Sequence, residues 1–367
     1  MGIKNYLNKL ELEKPSDKDR LYDEVYVDCN YVIHYLIYGC KCDKELYNKL
    51  FEYIRYIFNT ITIKHKLYLI FDGNYDKKYS INPKIVTLNK RYKNSKTNLE
   101  EDNDIPYDKQ PIMPNTDIIK TFKIYLNEIL NKFKECYKQN FEIIFNHDSI
   151  DGEADIKILE TIKKSTNKFL CIISKDTDMI LISYNLILKS LNNNKLCIDV
   201  MCNLRPIKFV NINKMITTFA NFSYDYIIIL FFMGNDFIPS ISNVDYDSLI
   251  ECYKKFKSHY PDNYIIINNS INNDNLVLFI TYYIIHKKIK FKFKKINFDR
   301  FKKYINNFNW CLKSYNIFEN KIDDVDDVDN IDDVNDIDNI DNKFEQLYNN
   351  INLDHSMNVI NVYNFIF

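Results

Sequence analysis

Five short apolar runs in this chain each deliver carboxylates at or just past their C-terminal end. Residues 25–27 lead into Asp28, 67–71 into Asp72, and 169–173 into Asp176 and Asp178. Residues 141–145 lead toward Glu153 and Asp155, and 227–233 into Asp236. Val/Ile/Leu/Phe/Tyr runs of this length, bounded by polar breaks, predict fully buried strands, as in a parallel sheet. In open α/β sheets ligands bind outside the carboxyl ends of such strands. Seven acidic side chains gathered on one edge repel each other unless cations hold them. Oxygen-only ligands suit hard divalent ions. The pattern predicts a metal site and phosphate chemistry.

Between these runs the spacing alternates. A short helix is expected over 3–13, a helix over 45–63 and an amphipathic helix over 118–137. Another helix should begin near Glu153. Residues 93–114 are polar and carry Pro106, Pro111 and Pro114, which predicts a loop. Residues 186–191 and 195–201 flank Asn192-Asn193-Asn194 and read as a β-hairpin, and 226–233 as a fifth strand or a buried helix. Strands alternating with crossover-length helical segments predict an α/β fold with a mostly parallel central sheet flanked by helices. A smaller, mainly helical addition should follow.

The net charge of −1 hides an asymmetry. Ten Asp lie between 322 and 342, with no Lys, Arg or Glu, which leaves +9 on the remainder. Such a body attracts polyanions, nucleic acid first among them, although a lysine-rich solvated surface has the same composition. The (Ile/Val)-Asp-(Asp/Asn) triplet of the acidic segment suits neither strand nor amphipathic helix and predicts disorder. It reads as a linker or as a polyanion mimic competing for the basic body. The expected division is 1–245 for the α/β domain that carries these acids, 246–320 for the helical and basic addition, 321–343 for the acidic segment and 344–367 for the tail. Nine scattered cysteines fit reduced thiols better than a zinc site or a disulfide framework. The first six residues do not form an apolar leader, and no apolar stretch of about 20 residues offers a membrane span. Cytoplasmic action is the expectation. The Asn/Ile/Lys-rich bias suggests an AT-rich genome, and with the compactness a viral or parasite origin, so host cytoplasm or virion.

Each acid also has an ordinary reading. Asp28 and Asp176 stand where a helix N-cap would. Glu153 and Asp155 are two apart and face different ways on a regular helix, so they share a site only if Glu153 lies in the entering turn. Gly234-Asn235-Asp236 is also a turn sequence.

Taken in order, however, the set resembles the Xrn family of 5′→3′ exoribonucleases, within the PIN/flap-endonuclease-like superfamily. Met1-Gly2 is similar to the family's opening. Asp28 to His34 resembles its Asp-x-Asn-Gly-Ile-Ile-His, with Tyr31 in place of the Gly. Asp72-Gly73 resembles its strand-Asp-Gly, and Gly152-Glu153-Ala154-Asp155-Ile156-Lys157-Ile158 its Gly-Glu-Gly-Glu-His-Lys-Ile. Asp176-Thr177-Asp178-Met179-Ile180 is similar to Asp-x-Asp-Leu-Ile, and Gly-Asn-Asp-Phe-Ile-Pro stands unbroken from Gly234 to Pro239. The likeness covers about residues 1–245, with a weaker echo at Trp310.

The resemblance implies a PIN/FEN-like fold and a metal-dependent exoribonuclease that releases 5′-mononucleotides. Asp28, Asp72, Glu153, Asp155, Asp176, Asp178 and Asp236 would hold two Mg²⁺ or Mn²⁺ ions. The implied substrate is single-stranded or uncapped RNA bearing a 5′-monophosphate, with double-stranded RNA as a further candidate. The resemblance puts Asn30 on the substrate side and has His34 and Trp310 stack on terminal bases. Trp310 as a plain core aromatic is the alternative. Lys77, Lys78 and Arg91 are available for the 5′-phosphate, but their spacing departs from the family's. Asp155 replaces a Glu. Lys288, Lys290, Lys292 and Lys294 alternate with apolar residues, as in an edge strand or a phosphate-contacting face. Two other readings stand beside this one: a flap-type DNA nuclease, and a non-catalytic nucleic-acid-binding scaffold of the same fold.

Overall fold

The computed structural model describes residues 3, 6–14, 20–73, 107–109, 112, 114, 116–136, 140–146, 152–190, 196–204, 206–235, 238, 240–241, 244–267 and 270–287. Lys77, Lys78, Arg91, Asp236, Trp310, the lysine-rich 288–300 stretch, the acidic segment and the tail lie outside them. The chain forms two compact units: Leu10–Ile216, and Met1–Lys9 together with Thr217–Phe367.

The first unit is built on a six-stranded sheet. In chain order its strands are β1 (Leu21–Asp28), β2 (Thr62–Ile70), β3 (Glu142–Asn146), β4 (Phe169–Ile173), β5 (Cys197–Leu204) and β6 (Ile207–Asn211). They lie side by side as β3-β2-β1-β4-β5-β6. All neighbours are parallel except β5 and β6. The expected mostly parallel α/β sheet is therefore observed. The chain winds outward from β1 through β2 to β3, then returns to place β4 on β1's other side. That reversal opens a crevice between β1 and β4, where ligands of open α/β sheets sit.

The helices are α1 (Cys29–Ile37), α2 (Asp43–Phe58), α3 (Asp117–Cys136), α4 (Ala154–Lys164) and α5 (Thr177–Ser190), followed by α6 (Ile212–Thr218). Strand residues alternate between the faces. Val25, Val27, Leu67, Leu69, Cys171 and Ile173 share one buried core with α1, α2 and α3. α2 and α3 lock through aromatic pairs, Tyr47 with Tyr125 and Phe51 with Phe133, both at 5.2 Å between ring centres. Tyr26 stacks flat on Tyr68 at 4.7 Å. Arg20, 5% exposed, pairs with Asp199 at 2.7 Å and Glu13 at 3.0 Å and lies over the Phe209 ring.

The second unit contains α7 (Asp225–Phe231), α8 (Tyr246–His259), the short strands β7 (Ile266–Ile267) and β8 (Ser270–Ile271), and α9 (Asn273–His286). After α7 the chain doubles back at Gly234, whose φ is +78°. A Cβ there would stand 2.4 Å from the Ser240 backbone nitrogen, so only glycine fits. Asn235 Oδ1 accepts from Ile238 N at 2.8 Å, and Asn235 N donates to Ile238 O at 2.9 Å. Gly234 and Asn235 thus open a tight turn.

Three expectations are corrected. Residues 186–190 belong to α5 rather than to a hairpin, and β5 pairs instead with β4 and β6. The run at 227–231 is helical, so four of the five acid-bearing runs are strands. The short N-terminal helix is one 3-10 turn, Tyr6–Lys9. Among the described residues no helix is long and apolar enough to cross a membrane.

Candidate active site

Registers in the sheet bring the strand ends level. Asp28 pairs with Ile70, Val27 with Ile173, and Ile70 with Asn146. The carboxylates that follow therefore emerge on one edge, as the sequence predicted for β1 to β4.

Asp28 ends β1 and caps α1. Its Oδ1 accepts from Tyr31 N at 3.0 Å and its Oδ2 from Ser174 Oγ at 3.0 Å, across the β1/β4 crevice. Asp72 lies two residues past β2, and its Oδ1 accepts from Ala154 N, the first residue of α4, at 2.8 Å. Asp176 precedes α5, its Oδ1 accepting from Asp178 N at 3.0 Å, while its own N donates to Ser174 Oγ at 3.2 Å. Three acids thus sit at three helix N-termini, where unpaired N–H groups and the helix dipole favour negative charge. The cap reading and the ligand reading are compatible, because a cap engages one carboxylate oxygen.

Their mutual influence shows in Asp28. Burial, then the charge of Asp72 and less strongly that of Asp176, push its carboxyl up to about 7, against the lowering effect of the Tyr31 and Ser174 bonds. A carboxylate holding two hydrogen bonds yet raised this far is shielded from water and has like charges beside it. That crowding and the all-oxygen donor set fit a hard divalent cation. Among the described residues, no three His, Cys, Asp or Glu side chains close into a ready-made ion cage.

The remaining candidates fall as follows. Glu153 is the half-buried N-cap residue of α4, so it does lie in the entering turn, with Asp155 in the first helical turn. Asp178, 4% exposed, opens α5. Asn30 is 9% exposed, and its Oδ1 accepts from Asp72 N at 3.0 Å. His34 stands one turn further along α1, exposed to solvent. Two residues escaped sequence reasoning as site components. Ser174 was signalled only by its place between strand end and Asp176. Lys157, 6% exposed, donates from Nζ to Phe71 O at 3.0 Å, and a lone cation four residues past Glu153 was its signal.

The fold is a mostly parallel α/β sheet with an acidic edge at its switch point, and the comparisons with known proteins name the family. The model for the XRN 5′-3′ exonuclease N-terminus matches residues 3–192, just over half of the 367-residue chain. The chain belongs to the Xrn family. It is 22% identical over 348 residues to 5′-3′ exoribonuclease 1 of Saccharomyces cerevisiae, covering 78% of this chain and 22% of that protein. It is 24% identical over 298 residues to 5′-3′ exoribonuclease 1 of Schizosaccharomyces pombe, covering 66% and 22%. The chain spans about a fifth of the length of these curated relatives. Among solved structures it is similar to the catalytic core of Rad2 in complex with DNA substrate: complex II at a TM-score of 0.40, 14% identity and 86% of each chain, and complex III at 0.41, 14%, 83% and 85%. That likeness is too distant to bear on function. Nucleases of the Xrn and flap-endonuclease kind generally use divalent metals.

Proposed function

We propose that this chain hydrolyses RNA from a 5′-monophosphate end, as a 5′→3′ exoribonuclease working with two Mg²⁺ or Mn²⁺ ions. The observation that carries the reading is the Asp28 carboxyl, crowded by Asp72 and Asp176 at the switch-point edge of a parallel sheet. Family membership adds the direction of attack and the substrate class.

In this reading Asp28, Asp72, Glu153, Asp155, Asp176, Asp178 and Asp236 hold the ions. Bound there, divalent ions supply a water of lowered pKa and neutralise charge on the attacking and leaving oxygens. Tyr31 N and Ser174 Oγ fix the direction of the two Asp28 oxygens. Asp72 and Asp176 keep theirs on helix N-termini, so the ligands need little reorganisation when substrate arrives. His34, exposed beside this edge, and Trp310 stack on terminal bases, while Lys77, Lys78 and Arg91 attract the 5′-phosphate. Eight free cysteines among the described residues suit a reducing compartment such as the cytoplasm.

The test is Asp176→Asn with Asp178→Asn, assayed for Mg²⁺-dependent release of mononucleotides from 5′-monophosphorylated RNA. Loss of several orders of magnitude with RNA binding retained is expected. Faster cleavage of a matched DNA flap would move the chain to the flap nucleases. Binding without cleavage by the wild-type protein would make it a scaffold.

A further inference from the structure

Four hydrogen bonds converge on the tripeptide Phe71-Asp72-Gly73. Asn30 Oδ1 accepts from Asp72 N at 3.0 Å, and Lys157 Nζ donates to Phe71 O at 3.0 Å. Gly73 N donates to Gly152 O at 2.8 Å, and Asp72 Oδ1 accepts from Ala154 N at 2.8 Å. The ladders of β2 end at Ile70, on both its β1 side and its β3 side. Phe71 and Asp72 therefore lie past the last strand pairing, where backbone groups must find other partners. The side chains of Asn30 and Lys157 supply them, one from the first turn of α1 and one from α4.

Lysine is almost never this deeply buried, because removing an ammonium from water is costly. A Met on the same face of α4 would fill the space without that penalty. The cost makes sense if the Phe71 carbonyl has to be held by something stronger than packing, and a charged donor makes roughly twice as strong a bond as a neutral one. Asn30 is comparably telling: nine-tenths of it is hidden, and its carbonyl oxygen is turned onto the Asp72 amide.

We infer that Lys157 and Asn30 are positioning residues that clamp the end of β2 and set where the Asp72 carboxylate stands relative to Asp28. The inference rests on the proposed reading of Asp72 as a metal ligand, and it assigns Asn30 to support of the site rather than to substrate contact. Metal sites tolerate only about half an ångström of misplacement in a ligand, so loosening the clamp weakens ion binding without removing a ligand.

Lys157→Met and Asn30→Ala test this by three readouts on the full chain. Deuterium exchange without metal should speed up at least about tenfold at 71–73 in either variant, while 24–27 and 170–173 keep wild-type protection. Mn²⁺ affinity, titrated without RNA, should weaken by about 10–100-fold, the usual effect of losing a ligand's supporting bond. kcat on 5′-monophosphorylated RNA should fall by a similar factor, with KM within about twofold, and propylammonium should partly restore Lys157→Ala. Unchanged exchange at 71–73 overturns the clamp. Faster exchange with wild-type Mn²⁺ affinity overturns its positioning role. If Lys157→Met loses its cooperative unfolding transition, Asn30→Ala decides by the same measures. Asp72→Asn separates the two levels: wild-type Mn²⁺ affinity and cleavage in that variant would refute the ligand reading, whereas the exchange signature reports on the clamp alone.

Discussion

Two buried aspartates, one in each unit, meet opposite fates. Asp225 opens α7 with no exposed surface and accepts from Ile265 N at 2.7 Å, Ile266 N at 2.8 Å and the Tyr253 hydroxyl. Burial raises its carboxyl, but every other influence, including the Lys257 charge, stabilises the anion. Asp28 is pushed up to about 7 by burial first, and then by the charge of Asp72 and less strongly that of Asp176. Asp225 is a carboxylate provided with donors, tying the 265–266 segment to α7. Asp28 has donors on both oxygens, and its charged neighbours Asp72 and Asp176 are acids. Burial raises both carboxyls; what differs is the charged neighbours, which favour the anion at Asp225 and oppose it at Asp28.

The largest contrast expected from this concerns activity. Asp28→Asn should abolish Mg²⁺-dependent 5′-nucleotide release by about three orders of magnitude or more, while circular dichroism stays native. Asp225→Asn should leave the activity of the folded fraction near wild type. A catalytic defect in Asp225→Asn of the same size, with folding intact, would erase the distinction between the two acids.

Stability should reverse the order. An amide at 225 turns an N–H₂ toward backbone N–H donors and strands at least one of them, at a cost of about 1–3 kcal/mol for each unsatisfied group. Asp225→Asn should lower the urea midpoint accordingly. Asp28→Asn should raise the metal-free midpoint at pH 8, because it removes an ionised group the fold disfavours. Stabilising changes at the expense of activity are characteristic of functional sites.

The third expectation is a pH dependence. A carboxyl near 7 in the native state and near about 4 in the unfolded chain keeps its proton longer when folded. The stability that this provides is complete below about pH 4 and is lost as pH rises through 7. Metal-free protein should therefore lose up to about 4 kcal/mol from this group by pH 8, less whatever relaxation of the edge recovers. Mg²⁺ should stabilise more at pH 8 than at pH 6, and Asp28→Asn should flatten both trends in thermal melts. A metal-free stability curve independent of pH between 5 and 8 would contradict the crowding.

Part of this contrast was legible in the chain. Asp28, Asp72 and Asp176 follow short apolar runs that alternate with helical segments and read as strands, so their shared edge followed from the parallel sheet. Asp225 left no such trace. It heads Tyr226 to Phe231, a run buried on all sides, and such a segment carries no periodicity to separate helix from strand. The same silence hid α5, where every residue from Thr177 to Asn185 is buried and its second half passed for a hairpin strand. Lys157 and Asn30 were visible as members of motifs, but their backbone partners at 71 and 72 exist only once α1, β2 and α4 are packed.

The smallest effect belongs to an acid of a third kind. Glu128 is exposed on α3, and its carboxyl is lowered by the hydrogen bond from Lys132, at 2.5 Å one helical turn away. A lowered carboxyl contributes stability above its unfolded value and loses it as pH falls. Solvent and salt screen such a surface pair almost completely. Glu128→Gln should therefore leave the urea midpoint unchanged within error at about 0.15 M salt, at both pH 6 and pH 8. A pH-dependent shift in Glu128→Gln as large as that predicted for Asp28→Asn would mean that net charge, and not the crowding at the sheet edge, governs the acid response of this protein.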